Sequence, residues 1–232
     1  MKISDHIFML EQQNDFGVVY PLLIIDGNEL ILIDTGFPGQ FQSLRNAIED
    51  SGFHVEDITG IILSHHHVDH IGSIKEIKAA SPNLIVMVHE KELPYLKSGQ
   101  ISAKALDHFM GKKANFPVLK EQHRKFFDFF SDPAYRRVDA DKTLSDGEIL
   151  PFAGGMLVIH TPGHTPGHIC LYIISEKLLF AGDAINLTDG KLTGAMGGFS
   201  QDITLADKSF EKALNYNPQT VICYHGGIYK NM

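Results

Sequence analysis

"SHHHVDHIG", residues 64–72, places four histidines and an aspartate within six positions. The stretch running into it, "TGIILS" (59–64), is apolar and reads as a buried strand. Imidazoles beside a carboxylate are costly to bury unless something pairs them. The cluster therefore belongs where a strand leaves the core. In an extended turn His65 and His67, two apart, can both reach one point. Asp69 and His70 follow as the chain bends into a short helix, "IGSIKEIKAA" (71–80), and can face a second point nearby. Imidazole nitrogen and carboxylate oxygen suit zinc, and also iron or manganese. A His-rich surface tract is the alternative, but such a tract would sit in a polar linker.

Working outward, four more apolar runs end as this one does. "LILIDTG" (30–36), "LVIHTPGH" (157–164), "LLFAGD" (178–183) and "VICYHGG" (221–227) each release a polar group after buried residues. Ligands of open α/β folds bind at the carboxyl ends of strands, where loops converge. Asp34, His164, Asp183 and His225 are thereby candidates for the same site as the 65–70 cluster. Glycines beside them permit close backbone approach.

The pattern H-x-H-x-D-H, then H, then D, then H, is similar to that of the metallo-β-lactamase superfamily, from "LIDTG" to "YHGG". The resemblance implies an αββα sandwich. It implies two divalent metal ions, zinc first and iron or manganese next, with His65, His67 and His164 on one and Asp69, His70 and His225 on the other. Asp183 would bridge them. Asp69 would orient a shared hydroxide and pass its proton onward, as the catalytic group. Asp34 matches an outer position that orients a ligand; a turn-forming Asp before Gly36 is the competing reading. His66 should face away by alternation, and His160, His168, His89, His6, His54, His108 and His123 are read as non-ligands.

Zinc β-lactamases lack an aspartate matching Asp183, so the resemblance points away from antibiotic hydrolysis. It points to a hydrolase of a small ester, lactone or thioester. A mononuclear iron sulfur-oxidising dioxygenase on the same fold is the alternative. "GDAINLTDGKLTG" (182–194) lacks both the Gly/Cys/Arg segment of glyoxalase II enzymes and the tyrosine of quorum-quenching lactonases.

Length and composition agree with a globular enzyme. The 232 residues suit one α/β domain over 1–232. A formal net charge of −8 argues against a nucleic-acid partner, which needs a basic surface. No apolar run approaches a membrane span, and Cys170 and Cys223 lie in apolar runs, which fits a reducing cytoplasm. A disulfide between them stays open.

Residues 91–140 lack strand runs and read as a helical insert of two or three helices. Its phenylalanines, Phe109, Phe116, Phe126, Phe127, Phe129 and Phe130, have three uses: docking the insert, walling an acyl pocket, or forming a homodimer face. Other expectations are a helix over "GQFQSLRNAIEDSG" (39–52), another over 204–218 with Thr204 as N-cap, and "TVICYHGG" as the final strand.

Overall fold

A computed structural model describes residues 1–116 and 118–230. Pro117 and the last two residues of the expected domain, Asn231 and Met232, lie outside the described residues. The first half of the chain builds one sheet from β1 (Ile7–Met9), β4 (Leu22–Asp26), β5 (Glu29–Ile33), β6 (Gly60–Leu63), β7 (Ile85–His89) and β8 (Lys142–Leu144), in the order β1-β4-β5-β6-β7-β8. A separate ribbon, β2 (Gln12–Asn14) with β3 (Gly17–Val19), projects between β1 and β4 in sequence. β5 to β8 run parallel, with crossovers through α1 (Phe41–Asp50), then α2 (Val68–Ile71) and α3 (Ile74–Ala80).

The second half builds the other sheet, in the order β16-β15-β12-β11-β10-β9. Its strands are β9 (Ile149–Leu150), β10 (Met156–His160), β11 (Ile169–Ile173), β12 (Leu178–Phe180), β15 (Thr220–Cys223) and β16 (Gly227–Lys230). Side chains alternate between faces along a strand, and both faces here are covered. Val158, Leu171, Phe180 and Ile222 join the core that includes the first sheet. Their neighbours Ile159, Cys170, Leu179 and Val221 pack in a second cluster with Ala213 of α8 (Ile203–Leu214). The layers are helix, sheet, sheet, helix, as expected of the αββα sandwich.

Two local expectations are corrected. Thr204 is not the N-cap of α8: Asp202 precedes the helix, and its carboxylate accepts from the Leu205 amide at 2.9 Å. "TVICYHGG" is not the last strand, because the chain turns at Tyr224–Gly226 and returns as β16. A ribbon of β13 (Ile185–Thr188) and β14 (Lys191–Gly194) forms around Asp189-Gly190, a dipeptide that favours tight hairpins.

Among the described residues the insert holds four α-helices, not two or three: α4 (Leu93–Ser98), α5 (Ala103–Gly111), α6 (Glu121–Ser131) and α7 (Pro133–Arg136). Asp132-Pro133 divides the last two, with Asp132 capping the Ala134 amide. Phe126, Phe127, Phe129 and Phe130 are buried, and Phe16 of the β2–β3 turn stacks on Phe126 at 3.5 Å. For these four rings, docking is the use observed.

Candidate metal centre

The strands that carry the candidate residues end at one rim. β5 and β6 are parallel, and so are β12 and β15; β10 reaches the same direction through two antiparallel steps. The two sheets meet there, where the Ile169 amide donates to the Ser64 carbonyl at 3.0 Å. Chain geometry thus delivers residues from both halves to one place.

All seven predicted ligands come together, in two groups. His65, His67, His164 and Asp183 each offer an atom within 4.8 Å of the others, and so do Asp69, His70 and His225. Asp183 stands between them. Its Oδ2 lies 3.3 Å from His164 Nε2, and its Oδ1 lies 3.2 Å from His70 Nε2 and 3.4 Å from His225 Nε2. Asp69 Oδ2 is 3.2 Å from His225 Nε2.

The chemistry of this donor set fits divalent metal. Of the five buried side-chain polar atoms without a hydrogen-bond partner among the described residues, three are His65 Nε2, His70 Nε2 and Asp183 Oδ1. Polar atoms so placed are costly unless a further group satisfies them. Burial, then the neighbouring imidazoles, push the pKa of His65 and His67 well below the usual range. Neutral imidazole is the form that ligates. Burial opposes a charge on His70, yet Asp34, Asp183 and Asp69 together raise its pKa to about 10. That negative field attracts a cation. Burial would raise the Asp183 carboxyl, but His225, His70 and His164 hold it well below the usual range.

Around the donors, Asp34 is no mere turn residue. It is fully buried at φ 61°, accepts from the Ser64 amide at 2.8 Å and the Ser64 hydroxyl at 2.6 Å, and lies 2.7 Å from His70 Nδ1. Ser64 Oγ also lies 3.0 Å from His65 Nδ1. His66 faces away, as alternation requires, and its ring meets Glu92. His89 is stacked on His160, not on the cluster.

Three residues have roles that the sequence reading does not assign. His168 is not a ligand, but its Nε2 accepts from the Asp183 amide at 3.0 Å and its Nδ1 lies 2.8 Å from Thr161 Oγ1. Burial brings its pKa down to about 3, so it stays neutral. In the twin "TPGH" repeats, His164 joins the cluster while His168 stands behind Asp183. Tyr224 donates to the Asp69 carbonyl at 2.6 Å and its ring stacks on His70 at 3.9 Å. Glu92 is buried against both histidine loops, and nothing in "HEKELPYL" marks it.

A cavity of about 200 Å³ opens onto this cluster through His67, Asp69, Asp183 and His225. Phe16, Phe37, Ile101, Phe109, Met196 and Phe199 give it apolar walls, and His108 and Lys112 add polar groups from the insert. Phe109 therefore serves the pocket while Phe126 to Phe130 serve the core.

The metallo-beta-lactamase superfamily model matches residues 14–225. The chain is 26% identical over 226 residues to the Bacillus subtilis (strain 168) protein named "Probable metallo-hydrolase YflN", covering 90% of this chain and 80% of that one. It is 32% identical over 186 residues to "Probable metallo-hydrolase MJ0888" of Methanocaldococcus jannaschii, covering 76% and 72%. The crystal structure of the metallo-beta-lactamase family protein TTHA1429 from Thermus thermophilus superposes with a TM-score of 0.72 at 20% identity, over 99% of this chain and 76% of that one. The chain belongs to the metallo-beta-lactamase superfamily. Its class is that of the metallo-hydrolases. Among the described residues no helix is long and apolar enough to cross a membrane.

Proposed function

We propose that this protein is a binuclear metal-dependent hydrolase of a small ester, lactone or thioester. In this reading His65, His67 and His164 hold one divalent cation, Asp69, His70 and His225 hold the other, and Asp183 serves both. The observation that carries it is the Asp183 carboxylate, whose two oxygens face different histidine groups. Two divalent cations bound there, zinc by the match of donors, would polarise a carbonyl and make water acidic enough to attack at neutral pH.

The chain's own residues supply the rest. Asp69 faces the cavity, and its Oδ2 would orient the attacking water and take its proton. Tyr224 anchors the Asp69 backbone, its hydroxyl donating to the Asp69 carbonyl at 2.6 Å. The apolar walls would accept an acyl group and exclude competing water. No cysteine nucleophile is called on: Cys170 and Cys223 are free and buried, which suits a reducing, cytoplasmic setting.

The test is elemental analysis of protein purified without chelator, with an assay against lactone, thioester, phosphodiester and β-lactam substrates. About two zinc per chain with turnover of a lactone or thioester is expected. Asp183→Ala should lower activity by more than the roughly ten- to hundredfold typical of outer partners. One iron per chain, no hydrolysis and an Asp183→Ala variant that keeps it would instead favour the dioxygenase reading.

A further inference from the structure

We propose that Glu92 is a positioning residue for one half of the metal centre, stapling together the two loops that carry His65, His67 and His164. The proposal rests on the reading of those three histidines as one cation's ligands. Glu92 lies in the turn between β7 and α4, and none of its side chain is exposed. Each carboxylate oxygen serves a different loop. Oε2 accepts from the His66 amide at 2.9 Å and also meets His66 Nδ1, between the two histidines of the first loop. Oε1 accepts from the Thr165 hydroxyl at 2.7 Å and the Gly167 amide at 2.6 Å, directly after His164.

These loops leave different sheets, and the backbone bond from the Ile169 amide to the Ser64 carbonyl joins them at their base without itself holding His67 and His164 in register. A buried carboxylate with partners on both oxygens holds them. Charge-assisted hydrogen bonds are about twice as strong as neutral ones, and stranding buried donors costs more again. Burial would raise the Glu92 carboxyl, but His66, Thr165 and Gly167 hold it below the usual range. Gly167 is shaped to this contact, since a Cβ there would lie 2.8 Å from the Glu92 nitrogen and 2.9 Å from Oε1. His66 completes the staple by stacking on Tyr95 of α4 at 4.4 Å and 10°. Among the contacts of the described residues, Asp69, His70 and His225 receive none from Glu92; Asp34 and Tyr224 brace that half.

The selectivity is what the experiment reads. Metal-free full-length protein is titrated with cobalt(II) against a competing chelator, following the visible d–d bands, for wild type, Glu92→Gln and Thr165→Val. Glu92→Gln keeps the volume but turns donors toward donors on one loop. Thr165→Val removes a single hydroxyl and keeps the fold if the amide does not. We expect Glu92→Gln to weaken one cobalt step about ten- to hundredfold and leave the other within about twofold. Thr165→Val should act on the same step, less strongly. In the zinc enzyme kcat should fall while KM stays within about twofold, because Glu92 does not line the cavity. Two cobalt steps that both weaken equally, or that both keep their wild-type strength, overturn the proposal alone. A wild-type chain that takes up fewer than two cobalt ions overturns the two-cation reading and the proposal with it.

Discussion

Asp34 combines a left-handed backbone with a buried carboxylate shared by Ser64 and His70. Aspartate tolerates that conformation better than most residues, because its short polar side chain bonds locally. Asp34→Asn keeps the shape and loses an acceptor, so metal affinity should fall about ten- to hundredfold, measured by chelator competition. Gly182, at φ 50°, lies where a Cβ would come within 2.6 Å of His168 Nε2. Gly182→Ala should therefore cost about 1–3 kcal/mol of stability, read from urea unfolding, and should disturb the Asp183 amide contact. Cys170 and Cys223 give a pH prediction. Burial pushes both thiols from 9.0 up to about 12. Above pH 9 the unfolded chain releases these protons while the folded chain keeps them. Their contribution is thus complete below pH 9 and is lost as pH rises toward 12. Neither thiol should react with a disulfide reagent in the native protein at pH 8, and both should react in denaturant. At this scale the seven clustered side chains were legible, because each follows an apolar run. Glu92, His168 and Tyr224 were not, because their roles are contacts with distant residues.

Among the elements, the insert divides its phenylalanines by helix. Phe126 of α6 is buried under Phe16 and beside Phe109 and Phe130, so Phe126→Ala should cost about 3–5 kcal/mol, measured by chemical denaturation. Phe109 of α5 fronts the cavity. Phe109→Ala should raise KM for long acyl substrates more than for short ones, with kcat little changed, which a chain-length series would check. An equal effect at every length would remove it from the pocket. The aromatic spacing in 126–130 announced a helix with a buried face. What divided the insert was Asp132-Pro133, and what sent Phe109 to the cavity was its packing near Phe199, which no periodicity encodes. Likewise Thr204 and Asp202 are both acceptable caps by type; the chain's path into α8 chose Asp202.

For the whole molecule, each sheet contributes part of the donor set: His65 to His70 follow β6, while His164, Asp183 and His225 follow β10, β12 and β15. Bound cations would therefore tie the two sheets together, and binding to the folded state alone stabilises it by about 2.7 kcal/mol at a hundred times Kd. Chelation should lower the Tm in calorimetry, and restoring zinc should raise it again. An unchanged Tm would place the cations outside the folded framework. The order of the clustered His and Asp residues, the strand ends that bear them and the layered fold were all present in the sequence, since burial alternates with period two and few residue types have such side chains. How His168 backs the Asp183 amide, how the sheets meet at Ser64 and Ile169, and how Glu92 reaches His66 and Gly167 were decided only in three dimensions. Those contacts span 26 and 75 residues. Local patterning states that a side chain is buried; only the packed chain states against what.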